Sequence, residues 1–310
     1  MSTQSGGEPE IGPDLVIAGA ARSGTTQLAA RLALHPRIDA SAVKETNYFS
    51  RRFDRGPEWY DGYFRPRSPE LLRLDASVSY TYPQYPEALQ RLVEAAPDAH
   101  VVYVARDPVE RAVSHYLLYR HYFGHESAPD FGASLRERSF YLDVSDYAHW
   151  LQELAARVPE DRRLVVPFQA VTSAADDVAS VIFARLGLAP LTEVDEENVG
   201  AHQNNVVTFR NEAVRKATRR LRHSRAYPVV RRVIGPHAMK RIRSVVTKVP
   251  EMPSIDEALS SCGEDERARL AEVSDRAYAS VAQELQRQDE ALGLSWGSLW
   301  TPPRPVSPTV

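Results

Sequence analysis

Residues Leu15 to Thr26, LVIAGAARSGTT, run from five strand-like residues into a turn with glycines at 19 and 24, followed by hydroxyl residues. That is P-loop spacing on a strand-to-helix connection. Such a loop aims backbone N–H groups and a helix N-terminus at an anion. A triphosphate loop carries Lys just before its final Ser/Thr, and here that place is Thr25; the loop's cation is Arg22, three residues earlier. The loop is therefore poorly equipped for a triphosphate but suits a single 5′-phosphate beside a leaving group. A Gly-rich turn without a ligand is the competing reading.

Working outward, the strand candidates are Leu15–Gly19, Leu71–Leu74, His100–Ala105 and Arg163–Pro167. Each is short and bounded by turn or polar residues, and two are continuous apolar runs of the kind buried parallel strands show. Helical patterns follow at Thr26–Leu34, Glu87–Ala95, Val109–Tyr122, Asp146–Arg157 and Ala175–Leu186. This alternation predicts an α/β fold: a single P-loop-type parallel β-sheet flanked by helices, with a helical C-terminal part. Residues 1–13 read as a disordered leader, 14–300 as the domain and 301–310 as a proline-rich disordered tail.

Composition narrows the function classes. Of 310 residues, 43% are apolar and 25% charged, enough to bury a substantial core. The apolar runs fall far short of the ~20 residues of a membrane span. The polar N-terminus lacks the basic and apolar regions of a signal peptide. A single cysteine, Cys262, allows no internal disulfide framework and no Cys-based zinc site. The expected compartment is the cytoplasm. The net charge of -3 argues against nucleic acid as a general partner. Between Arg210 and Lys248, however, thirteen Lys/Arg stand against one acid, Glu212. This stretch reads either as a solvated basic face or as a cover over a nucleotide that attracts an anionic acceptor or a membrane surface.

A second strand-to-helix junction, HVVYVARDPVERAVSHY at 100–116, repeats the logic of the first. Asp107 and Pro108 suit the N-cap and first position of a helix. Arg106 then stands at a strand's carboxyl edge, where open α/β sheets bind ligands, and Ser114 lies two turns on. Helix capping alone would also explain the triplet. Two anion sites on neighbouring edges, however, suit a nucleotide phosphorylated at both 5′ and 3′ positions.

Taken together, GAARSGTT and RDPVERAVSHY resemble the paired 5′-phosphosulfate and 3′-phosphate motifs of the sulfotransferases that use 3′-phosphoadenosine 5′-phosphosulfate (PAPS). The likeness is to the heparan-sulfate-sulfotransferase branch and its bacterial relatives. VKETNYFS at 43–50 with Trp59-Tyr60, RLVVPFQAV at 163–171 and GLSWGSLW at 293–300 are similar to further segments of that branch. The resemblance implies sulfuryl transfer to a hydroxyl, or less readily an amine, of a saccharide, glycolipid or secondary metabolite. PAPS would be the co-substrate, adenosine 3′,5′-bisphosphate the product, and no metal would be needed.

By the same resemblance, Glu45 is the general base and Arg22 stabilises the leaving group. Ser23, Gly24, Thr25, Thr26 and Gln27 cradle the 5′-phosphate, while Arg106, Ser114 and Arg210 hold the 3′-phosphate. A carboxylate with an ordinary pKa of about 4.3 is a weak base, which burial would strengthen; a surface acid paired with Lys44 is the plain alternative. One departure stands out: the branch's lysine in the segment similar to DASVSY is Ala76 here. The aromatics Tyr48, Phe49, Phe53, Trp59, Tyr60 and Tyr63 read as an acceptor platform or as core. A P-loop kinase, or a nucleotide-binding protein of this fold without chemistry, remains as an alternative. Acceptor identity and oligomeric state are not legible.

Overall fold

The computed structural model describes residues 12–191, 208–209, 247–248 and 253–306. Arg210, nearly all of the basic stretch, residues 1–11 of the leader and 307–310 of the tail lie outside the described residues.

The chain begins with β1 (Leu15–Gly19), α1 (Thr25–Leu32), β2 (Ile38–Ala40), α2 (Pro57–Asp61) and β3 (Leu72–Asp75). It continues through α3 (Ala88–Ala95), β4 (His100–Ala105), α4 (Pro108–Leu117), α5 (Phe131–Glu137), α6 (Phe140–Ser145) and α7 (Tyr147–Arg157). Then come β5 (Arg163–Pro167), α8 (Phe168–Ser173) and α9 (Ala175–Arg185). After the short pair β6 (Thr208–Phe209) and β7 (Thr247–Lys248), α10 (Ile255–Ser260) and α11 (Glu264–Leu292) close the domain. The main sheet has five strands in the order β2-β3-β1-β4-β5, and every pairing within it is parallel. The α/β reading holds. Every residue of β1 is buried, as expected of a central strand covered on both faces.

Three strands form where the sequence places them, and the fourth shifts by one residue to Leu72–Asp75. β2 escapes the sequence reading because three residues with Asp39 at the centre carry no usable periodicity. The helix expected over 109–122 keeps its α form only to Leu117 and continues as a π-helical turn, Leu118–Phe123. The wider turn accompanies the packing of the Tyr119 ring against His115, with centroids 4.5 Å apart, and against Phe140 at 5.7 Å.

Two long-range ties position the frame. β5 is an edge strand, and Gln288 of α11 satisfies its open side: Val165 N–H donates to Gln288 Oε1 (2.8 Å), and Gln288 Nε2 donates to Val165 O (3.2 Å). A helix thereby covers an edge that would otherwise offer bonds to another strand. The tail departs from expectation. Arg304 N–H donates to Asp107 Oδ2 at 2.5 Å, its guanidinium reaches Asp256 Oδ1 at 2.9 Å, and Val306 packs on the core around α4. Prolines at 302, 303 and 305 restrict the free chain, so these few contacts have less disorder to overcome.

Candidate active site

The loop after β1 is set by backbone conformation. Gly24 has φ 83° and Arg22 φ 72°, both left-handed. Gly24 takes that conformation without cost, whereas for Arg22 it costs about 1–2 kcal/mol. A Cβ on Gly19 would meet Thr81 Oγ1 at 2.4 Å and Tyr103 Cε2 at 2.6 Å, so the turn must start on a glycine. No side chain caps α1; Gln27 and Leu28 N–H both donate to Gly24 O, while the Thr25 and Thr26 N–H groups ahead of them have no helical acceptor. Ser23 is fully buried, and its hydroxyl has no hydrogen bond of sound geometry, although it lies close enough to Tyr147 to act on that hydroxyl.

The junction after β4 meets this loop. Asp107 caps α4 by accepting from Glu110 N–H at 2.8 Å, with Pro108 at the first helical position. Arg106 donates from Nη1 to the Arg22 carbonyl (3.3 Å) and from Nη2 to Glu110 Oε2 (2.8 Å); its Nε is buried without a partner among the described residues. Its guanidinium lies 4.9 Å from the centroid of Phe168, a ring that also packs on Gly24. Arg22 Nε donates to Ser114 Oγ at 3.0 Å. Burial, then the neighbouring Arg106, pull the Arg22 pKa down to about 10, which leaves it protonated at neutral pH. Two guanidiniums are thus held side by side at the ends of adjacent strands.

Beside the first turn of α1, the segment after β2 carries Lys44 and Glu45. Their side chains are 22% and 27% exposed, with Lys44 Nζ 3.6 Å from Glu45 Oε1. The same ammonium donates to Thr25 Oγ1 at 3.3 Å. Burial raises the pKa of the Tyr82 hydroxyl, with the charge of Glu45 adding to the effect, and Tyr82 is also within electrostatic reach of Arg22. Glu45 and Arg22 are thus both within electrostatic reach of the Tyr82 hydroxyl. The next residue anchors the segment. Thr46 Oγ1 donates to Asp75 Oδ2 at 2.8 Å, and the same buried carboxylate accepts from Tyr80 (2.6 Å), Ser77 (2.7 Å) and Tyr60 (3.2 Å).

Arg22, Ser23, Gly24, Thr25, Thr26, Arg106, Ser114 and Glu45 thus border one region. Two of these residues have partners within the protein. Ser114 is bonded to Arg22, while Arg106 pairs with Glu110. Gln27 is spent elsewhere, its N–H on Gly24 O (2.9 Å) and its amide on Val171 O (3.2 Å) in α8. Arg210 lies outside the described residues. The aromatic platform is mostly core: Tyr48, Phe49 and Tyr60 are buried, with Tyr48 stacked on Tyr60 at 4.6 Å, and only Phe53 is largely exposed. Sequence reasoning assigned no site role to Lys44 or Phe168. The adjacency of Lys44 to Glu45, and of Phe168 to the end of the β5 run, were the available signals.

Residues 59–193 match the sulfotransferase family. Heparan sulfate glucosamine 3-O-sulfotransferase 6 of Mus musculus is 35% identical over 104 residues, covering 34% of this chain and 30% of the relative. The membrane-associated sulfotransferase kil1 of Dictyostelium discoideum is 34% identical over 105 residues, covering 34% of this chain and 22% of the relative. The chain therefore spans less than a third of the length of these curated relatives. A crystal structure of a sulfotransferase from Alicyclobacillus acidocaldarius superposes with a TM-score of 0.50 at 25% identity, covering 60% of this chain and 87% of the other. Over these spans the chain is similar to sulfotransferases, among them one of the heparan sulfate type.

Proposed function

We propose that this protein transfers a sulfuryl group from PAPS to a hydroxyl of a saccharide, glycolipid or secondary metabolite. One observation carries the reading. At the ends of β1 and β4, the Arg22 and Arg106 guanidiniums, the buried Ser23 hydroxyl beside Tyr147, and Arg106 Nε, which has no partner among the described residues, line the region entered by an uncapped helix. Buried polar groups without partners carry a free-energy cost that a ligand with matching acceptors removes. A nucleotide with phosphates at both ends supplies those acceptors.

In this reading the first turn of α1, with Ser23, Gly24, Thr25 and Thr26, holds the 5′-phosphate. Arg106 holds the 3′-phosphate by charge-assisted bonds. Glu45 takes the acceptor's hydroxyl proton as the acceptor oxygen attacks sulfur. The bond from sulfur to the 5′-phosphate oxygen breaks, and its electron pair stays on the phosphate, giving a sulfate ester and adenosine 3′,5′-bisphosphate. Arg22 stabilises the charge that gathers on the leaving oxygens; its bond to Ser114 keeps its guanidinium in place until then.

Thermal-shift titration tests the donor class. Adenosine 3′,5′-bisphosphate at a hundred times its Kd stabilises by about 2.7 kcal/mol. Stabilisation by ATP with Mg²⁺, and none by the bisphosphate, would favour a kinase and end this reading.

A further inference from the structure

We propose that Lys44 is a second cation of the donor site, supplied from a neighbouring segment to replace the lysine that the phosphate loop lacks. This inference rests on the donor reading above and goes beyond it. The loop carries Thr25 at the position where a triphosphate loop carries Lys. The structure brings an ammonium to that same residue, because Lys44 Nζ donates to Thr25 Oγ1 at 3.3 Å.

The chemistry of the contact is specific. An ammonium has three donors. In Lys44 one is used on Thr25 and one faces Glu45 Oε1, 3.6 Å away, which leaves the third for a ligand oxygen. Thr25 Oγ1, having accepted from Lys44, keeps its own proton free to donate to an anion at the start of α1. A phosphate seated on that first turn would thus meet backbone N–H groups, the Thr25 hydroxyl and the Lys44 ammonium together. Arg22, three residues before Thr25 in the same loop, is anchored on Ser114. Lys44 also links this corner to Glu45, so the cation that grips the donor stands beside the carboxylate assigned to the acceptor.

The test needs no acceptor. Calorimetry with adenosine 5′-monophosphate and adenosine 3′-monophosphate separates the two ends of the nucleotide. In Lys44→Met, the affinity for the 5′-monophosphate falls about tenfold or more, as expected for loss of a charge-assisted bond. The affinity for the 3′-monophosphate stays within about twofold, and Lys44→Arg recovers most of the loss. A merely structural role would weaken both ligands together. Equal loss for the two nucleotides, or no loss for either, overturns the assignment of Lys44 while leaving sulfuryl transfer standing. If the wild-type protein binds neither monophosphate nor the bisphosphate, the donor reading and this inference fall together.

Discussion

The molecule treats its buried charges in two ways, and the contrast separates scaffold from site. Arg111 is fully buried and has an acceptor at each of its three nitrogens: it donates to Ser145 Oγ at 2.7 Å, Tyr141 O at 2.6 Å, His115 Nδ1 at 3.0 Å and Ala21 O at 3.5 Å. Asp75, equally buried, collects four hydroxyls. One turn away from Arg111 and across the sheet edge, Arg22 and Arg106 are only partly enclosed. Among the described residues Arg22 pairs with no carboxylate, and Arg106 leaves its Nε unpartnered. A buried guanidinium with an acceptor at every nitrogen holds structure, whereas one that is partly exposed and keeps donors open can take a ligand.

The contrast is open to direct attack. Arg111→Met orphans its buried acceptors and destabilises the fold by about 3 kcal/mol or more; urea denaturation with a midpoint close to wild type would show that these bonds do not stabilise this corner. Glu45→Gln is expected to keep bisphosphate binding and lose transfer by roughly 10²-fold or more; near-normal turnover, once an acceptor is found with labelled donor, would remove Glu45 as base. Arg106→Ala is expected to weaken adenosine 3′,5′-bisphosphate about tenfold with little change in melting temperature, the reverse of the Arg111 result. Similar behaviour of the two variants would erase the distinction.

The smallest effect is in pH. His115 is buried, and burial followed by Arg111 and Arg22 pushes its pKa well below the ordinary 6.5. Arginine can only donate, so His115 Nδ1 accepts from Arg111, and Nε2–H faces the Tyr82 hydroxyl at 3.2 Å. Below pH 6.5 the unfolded chain takes up a proton that the folded one refuses. Stability is therefore complete above that value and falls as pH drops, by at most about 1.4 kcal/mol per pH unit. His115→Asn should flatten the acid slope of stability measured by denaturant titration; an unchanged slope would place the titration elsewhere.

Much of the fold was legible because the strands that position the site are continuous apolar runs ending in turn residues. LVIAG and HVVYVA mark the two central strands and, with them, the edges where Arg22 and Arg106 emerge. The loop glycines could be read from their spacing, although only Gly24 meets a local backbone demand and Gly19 makes room for Thr81 and Tyr103. Partnerships were less legible. Whether Ser114 bonds Arg22 or Arg106 depends on side-chain direction at the end of a helix turn. Gln27 was assigned by its place in the motif, yet its amide answers a carbonyl of α8 that only tertiary packing brings near. Lys44 reads locally as the partner of Glu45, and its reach to Thr25 depends on how the segment after β2 folds back over α1, a contact of residues 19 apart. Asp75 looked like the polar end of a strand, and nothing local announced the hydroxyls from residues 46 and 60 that allow it to be buried.

The central claim is that the edges after β1 and β4 hold the two ends of one nucleotide. Calorimetric comparison of adenosine 3′,5′-bisphosphate with adenosine 5′-monophosphate on the wild-type protein tests it most directly. The bisphosphate is expected to bind tighter by about tenfold or more, the contribution of charge-assisted bonds to a second phosphate. Equal affinity for the two would contradict it.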